Sequence, residues 1–417
     1  MWGRHGAPTR HPRRRVTTTP TTPSRPPLWR DVRVLRTVGQ VVAVVLVFLL
    51  LRWLFGNLVD NSRRGGLSLD FGFLGRPTQF QIAYMHDQFD PRSPVIEMVL
   101  VGIKNTFLAG IFGMAMAGIV GLVVGLARLS TNWLAARIAS LYVEFFRNIP
   151  PLVIIVFFAF AIFTYGPLPN LREAIEVRFP GLDENLFIFS KEEWGVPSLG
   201  DTGNLGIFWL VLVAALVAAA LIWRWRTRVN EQTGEPHHRL VWALGALALI
   251  VAATYIALDG PFTLTWPTLS ENRRRIVDGF ALNAGFMAVA GALGLYTASH
   301  VAEIVRGSIL AVSWGQTEAA NSLALSSFQR YRFVVLPQSM RIALPPLINQ
   351  SLNLVKNTSL AAAVGYAEIT NLTETSIGNG RPAVPSIVIL MAVYLSFSLI
   401  ISALLNAVNR RLRLVTR

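Results

Sequence analysis

Seven polar side chains interrupt long apolar stretches of this chain: Arg147, Asn283, His300, Glu303, Asn349, Asn353 and Lys356. A polar group in hydrocarbon is costly, so such residues face a cavity or another helix. Asn349, Asn353 and Lys356 are spaced four and three apart, which places them on one face of a helix. A cationic Arg147 or Lys356 can meet a carboxylate, and the asparagine amides can hydrogen-bond an amide or an α-carboxylate. Arg147 also lies just before Pro150-Pro151, a pair that must break a helix and can expose carbonyls to a passage. This is the chemistry of admitting a small polar solute. Each residue also has a plainer reading. Asn349 and Asn353 serve equally well as glue between subunits, and Lys356 can snorkel to an interface. Glu303 and Arg306, three apart, can form a local ion pair, and His300 reads more readily as a packed, hydrogen-bonded residue than as a proton relay.

Bond-breaking chemistry has no foothold. The sequence holds no cysteine, no G-x-x-x-x-G-K-[ST] phosphate loop, no H-E-x-x-H and no G-x-S-x-G. The chain is therefore expected to be a non-enzyme that binds no cofactor or metal of its own. Work against a gradient must draw on a partner or on an ion gradient.

One polar stretch, Gly315 to Pro337, separates two apolar segments. Thr317 can cap a short helix with Glu318 in its first turn, where a carboxylate favours the positive dipole end. Ala319, Ala320 and Ala324 give that helix a face almost without side chains. Ser326 and Gln329 form an S-x-x-Q capping box for a second helix, which Pro337 interrupts or ends. The stretch reads as a helix-turn-helix elbow on a membrane surface.

The elements that must position these residues follow from composition. Of 417 residues 53% are hydrophobic and 15% charged, the balance of a polytopic membrane protein rather than a soluble domain. A formal charge of +15 would suggest nucleic acid in a soluble chain, but here the arginines crowd at the termini and beside apolar spans, so lipid head groups explain them and no nucleic-acid partner is expected. Apolar runs of the length needed to cross roughly 30 Å of hydrocarbon lie near 39–55, 105–127, 143–166, 207–225, 240–258, 279–304, 345–366 and 384–406. The expected fold class is an all-α polytopic membrane protein of about eight transmembrane helices. Residues 1–38 form a basic, Pro/Thr-rich tail expected to be disordered. The run at 39–55 is a signal anchor, since no A-x-A cleavage site follows it. By the positive-inside rule the tail and the C-terminal Arg410, Arg411, Arg413 and Arg417 are cytoplasmic, the acidic loop 167–206 is outside, and the elbow is inside. Arg273, Arg274 and Arg275 run against this pattern, offset by Asp259, Glu271 and Asp278.

The elbow resembles the EAA loop of ABC-importer permeases. Glu318, Ala319 and Ala320 match its first residues, Ala324 stands where the family usually has glycine, and Leu336-Pro337 match its later Leu-Pro. Further likeness to the polar and general L-amino-acid branch lies in Asn105-Thr106, in Tyr142 to Pro151, in Ala302 to Gly307 and in Lys356 to Leu360. The resemblance covers segments 99–166 and 279–417, about half the chain. It implies a five-helix type I permease core in spans two, three, six, seven and eight, with the tail, its anchor and the 207–258 pair as additions. It also implies a dimer of ATPase subunits that carries Mg-ATP and docks on Glu318, Ala319, Ala320, Ala324, Leu336 and Pro337. A second homologous permease or a second copy, an extracytoplasmic amino-acid-binding protein and the lipids of a bacterial inner membrane complete the expected partners. The implied solutes are polar L-amino acids of the glutamate, glutamine, aspartate and asparagine class. A gradient-driven secondary transporter or channel is the competing reading, and a membrane scaffold or receptor subunit a third.

Overall fold

The computed structural model describes residues 32–65, 69–82, 89–179, 181, 184–234 and 238–412. The expectations for residues 1–31 and for Arg413 and Arg417 fall outside them. The chain divides into a short unit ending at Leu69 and a larger one beginning at Asp70. The first unit is essentially one helix, α1 (Val32–Arg64), so residues 32–38 are helical rather than part of a disordered tail.

In the larger unit α2 (Val95–Ala127) is followed by α3 (Trp133–Asn148) and α4 (Pro151–Phe157), which continues as a π-turn to Thr164. Strands β1 (Ile175–Arg178), β2 (Asn185–Phe189), β3 (Glu193–Val196) and β4 (Ser198–Asp201) precede the hairpin of α5 (Leu205–Thr233) and α6 (Arg239–Ala257). Strands β5 (Phe262–Thr265), β6 (Thr268–Leu269), β7 (Ile276–Asp278) and β8 (Phe280–Asn283) then lead into α7 (Ala284–Leu310). The elbow holds α8 (Trp314–Ser322) and α9 (Ser327–Arg330), and α10 (Leu336–Asn357), α11 (Ile369–Gly378) and α12 (Ala383–Leu412) complete the chain.

Every expected span has a helical counterpart, but several boundaries move. Among the described residues six helices are long and apolar enough to cross a membrane, or seven if α3 and α4 form one broken span. The eighth, α10, carries Arg341, Asn349, Asn353 and Lys356 and is too polar to meet that standard. Span three is not straight. Ile149 is extended (φ −106°, ψ 133°) ahead of Pro150-Pro151, as a residue before proline must be, and the two helices meet at 104°. Residues 280–283, expected near the start of span six, form strand β8 instead.

The chain is mostly helical as expected, with small sheets that the hydropathy pattern did not reveal. The largest has the order β1-β2-β3-β8, all neighbours antiparallel, with Glu193 opposite Asn283. Its strands are four or five residues long, too short for a period to show. Ile188, Ile276 and Ala281 fill its core. One member of the exceptional arginine cluster is paired here: Arg273 Nη2 donates to Glu176 Oε1 at 2.8 Å and its Nε to the Arg172 carbonyl. Burial pushes the Glu176 carboxyl up, but hydrogen bonds from Arg273 and Arg178 outweigh it and hold the group below its ordinary value.

The bundle is organised about α2 and α7, which run parallel. Gly102, Thr106, Ala109, Gly113, Ala117, Gly121 and Gly125 are buried along α2, a row of small residues at helical spacing. Against its Gly113, Gly121 and Gly125 lie Ala290, Gly294, Ala298, Val301 and Ala302 of α7. A Cβ at Gly121 would stand 2.6 Å from Val301 Cβ, and one at Gly125 would stand 2.8 Å from the Ala302 carbonyl. Tyr142 on α3 donates to the Leu295 carbonyl of α7 at 2.7 Å. At the sheet end of the bundle Glu368, fully buried, joins three helices: it accepts from Tyr394 at 3.0 Å, from Thr106 at 3.4 Å and from the Asn371 amide at 2.9 Å.

Gly125→Val should force α2 and α7 apart and destabilise the protein by at least ~1–3 kcal/mol, the usual penalty for overpacking. Gly118→Ala, where the added methyl meets nothing within 4 Å, should be neutral or stabilising. Thermal unfolding in detergent distinguishes the two. The Glu176 contacts make a separate prediction for the sheet. A depressed folded-state value means their stabilisation is complete at neutral pH and declines only on acidification below about pH 4, once the unfolded chain begins to take up protons. Amide exchange in 175–189 should rise there, and Glu176→Gln should abolish that pH dependence.

Candidate coupling elbow and polar helix faces

The elbow forms where the sequence placed it, with a different start. α8 begins at Trp314, Ser313 precedes it in extended geometry, and Thr317 lies inside the helix rather than capping it. The Trp314 indole N–H donates to Glu318 Oε1 at 2.8 Å across one turn, which extends the helix backwards and puts Glu318 in its second turn. The bare face is only partly available. Ala319 and Ala324 are exposed, but Ala320 is buried (2% accessible) within the elbow.

Hydrogen bonds hold the elbow as one piece. Arg330 Nη1 donates to Asn321 Oδ1 at 2.8 Å, linking α9 to α8, and Gln338 Nε2 donates to Gln316 Oε1 at 3.1 Å, linking α10 to α8. The Ser326–Gln329 capping box is present in both directions, at 3.3 and 2.9 Å. Ala324 adopts φ +55°, the left-handed conformation in which a helix commonly ends, and its amide donates to the Asn321 carbonyl at 2.9 Å. The turn thus keeps glycine geometry with an alanine, which costs about 1–2 kcal/mol of local strain.

Leu336 opens α10 and Pro337 sits in its first turn, after a π-turn over Tyr331–Val335. The proline neither ends nor breaks the second helix. In a first turn its missing N–H leaves nothing unpaired, and the widened π-turn carries the backbone into α10. A groove of about 540 Å³ lies between the elbow and the ends of α2 and α7, lined by Leu126, Leu129, Ile309, Phe328, Tyr331 and Leu336. Only Ala311 to Ser313 separate α7 from α8, so the elbow is tied directly to both α7 and α10.

The expected pathway residues do not form one cluster. Asn349, Asn353 and Lys356 do share one exposed face of α10, opposite the buried Ile348, Leu354 and Val355. None of the three side chains makes a hydrogen bond or ion pair within the described chain. Arg147 is exposed near the end of α3, and its charge lies within electrostatic reach of His300. His300 packs edge-on against Tyr296, ring centroids 4.9 Å apart. Asn283 has a local duty: it caps α7, accepting from the Phe286 amide at 2.7 Å. Glu303 is held at the elbow end by two guanidiniums, Arg306 at 2.6 Å on its own helix and Arg128 from the end of α2.

Arg128, Tyr142 and Glu368 carry contacts that sequence reasoning missed. A lone acid inside Ala361 to Thr370 was a signal for Glu368. Nothing linear connects Arg128 to Glu303, 175 positions away.

The turn conformation makes a direct prediction. Ala324→Gly should relieve the left-handed strain and raise stability by ~1 kcal/mol, whereas the β-branched Ala324→Val should lower it by more than that. Amide exchange across 314–337 reads the difference.

Residues 109–414 match the family described as binding-protein-dependent transport system inner membrane component. The chain is 36% identical over 379 residues to the general L-amino acid transport system permease protein AapQ of Rhizobium johnstonii, covering 91% of this chain and 92% of that protein. It is 32% identical over 409 residues to the glutamate/glutamine/aspartate/asparagine transport system permease protein BztB of Rhodobacter capsulatus, covering 92% and 95%. The family match over residues 109–414, with identity along nearly the whole length of both relatives, places this chain in the family of ABC-type binding-protein-dependent permeases of the inner membrane.

Proposed function

We propose that this chain is the membrane-spanning subunit of an ATP-driven importer for polar L-amino acids, coupled through the α8–α9 elbow to a separate ATPase. The observation that carries the reading is the elbow itself. Glu318 and Ala319 are exposed on a short helix braced against α10 and joined to α7 by three residues. A pull on α8 therefore acts on two membrane helices at once. Positive-inside charge puts the elbow end in the cytoplasm, where Mg-ATP would be held by the partner's ATPase dimer and not by this chain.

The open face of α10 supports a second permease beside this one, either a homologue or another copy. Asn349, Asn353 and Lys356 have no partner within the described chain and are costly against lipid. A second subunit and a solute passage between the two would supply polar surroundings. Lys356 and Arg147 would meet substrate carboxylates there, and the asparagines an amide or α-carboxylate. The five-helix core maps onto α2, α3–α4, α7, α10 and α12. A binding protein would deliver solute at the sheet end, and ligand and nucleotide must favour different states for coupling. The glutamate, glutamine, aspartate and asparagine class is the substrate reading closest to the named relatives. The competing gradient-driven mechanism loses one proton carrier, because Glu303 is occupied by Arg128 and Arg306.

The test is reconstitution in liposomes with the ATPase, second permease and binding protein. Glu318→Ala and Ala319→Trp should lower uptake of labelled glutamate or glutamine at least tenfold, while the membrane domain stays folded and ATP hydrolysis loses its stimulation by binding protein. Normal coupled uptake in both variants, or gradient-driven uptake by this chain alone, would overturn the reading.

A further inference from the structure

The α5–α6 hairpin lies outside the elbow and carries none of the proposed passage residues, yet it has a distinctive foot. Its helices pack on each other and turn at Gly234, at the end away from the sheets. Arg226 of α5 stacks on Trp242 of α6 at 4.4 Å, and Arg239 of α6 stacks on Trp223 of α5 at 5.3 Å. Arg226 also lies 5.5 Å from Trp225. These reciprocal cation–π contacts hold two guanidinium planes in fixed positions across the helix pair. Arg224 and Arg228, four apart, share one exposed face of α5.

None of the four arginines forms an ion pair among the described residues, and Arg226 Nε is buried without a hydrogen-bond partner. The nearby acids in the sequence are Glu231 and Glu235 alone. The foot therefore carries an excess of positive charge, with four arginines against two acids. Its depth is set by α5: the 18 residues from Leu205 to Ile222 span about 27 Å, close to the hydrocarbon thickness, so Trp223 to Arg228 stand at head-group level. Leu210, Val213, Val217 and Leu221 on α5, with Leu240 and Leu244 on α6, expose apolar surface running from the foot into the bilayer.

We infer that the α5–α6 foot is a binding site for an anionic phospholipid. Its phosphate is held by the stacked guanidiniums of Arg226 and Arg239, and its acyl chains lie along the exposed α5–α6 faces. A guanidinium stacked on indole keeps its N–H edge free, which suits bidentate contact with a phosphodiester. The charge selects among lipids. A zwitterionic head group brings its own ammonium to a site already rich in cations, whereas phosphatidylglycerol brings net negative charge. The inserted pair thereby anchors the permease to one leaflet.

Native mass spectrometry of the purified full-length chain, titrated with phosphatidylglycerol or phosphatidylcholine, tests this. The wild type should bind phosphatidylglycerol at least tenfold more tightly, and Arg226→Gln with Arg239→Gln should lower that affinity by about fivefold per arginine, leaving phosphatidylcholine unaffected. Should the double variant not fold, Arg224→Gln and Arg228→Gln, whose side chains are exposed, should each give a similar loss. Inorganic phosphate at the same concentration should not displace the lipid, since it cannot use the apolar faces. Unchanged preference in the variants, or full displacement by inorganic phosphate, would overturn the assignment.

Discussion

Close approach of α2 and α7 is the constraint on which the remaining architecture depends. Lipid is as apolar as leucine, so hydrophobicity does not drive two membrane helices together, and tight contact must come from small residues. The glycine and alanine row of α2 lets the backbone of α7 reach within van der Waals contact over several turns. With that distance fixed, other contacts find their partners. Tyr142 reaches a carbonyl on α7, Arg128 meets Glu303 where the helices end, and Thr106 presents its hydroxyl to Glu368. The rod formed by α7 then runs from strand β8 to the elbow with three residues between it and α8.

Polar groups in the bundle divide by whether this chain satisfies them. Glu303 and Glu368 are fully engaged and brace helices against one another. Asn349, Asn353 and Lys356 are not engaged within the described chain. An unsatisfied polar face in hydrocarbon is costly, so these side chains call for polar surroundings from outside the chain. The same logic separates the four arginines of the α5–α6 foot from Arg273, whose charge is met by Glu176.

Much of the membrane architecture was legible from composition and apolar run length. All eight runs correspond to helices, and the Ser326–Gln329 capping box sits where its spacing put it. Errors arose where hydropathy carries no information. α8 starts at Trp314, three residues before Thr317, and is braced there by a Trp314–Glu318 side-chain contact that local cap rules do not record. The π-turn before Leu336 made room for a proline that local rules treat as a helix stop. The strands are too short for periodicity and are specified by their partners, as when β3 pairs with β8 across the whole α5–α6 hairpin.

The amino-acid sequence by itself determined which segments form long apolar helices, where the elbow lies and which side chains share a face of α10, because each depends on local composition or on helical spacing. Tertiary structure decided what those side chains do. Asn283 became a helix cap, Glu303 the pivot between Arg128 and Arg306, and Ala320 a buried brace rather than part of an open face. Such roles depend on contacts between residues far apart in the chain. Their distances are set by how closely α2 and α7 can approach, and no linear pattern records that geometry.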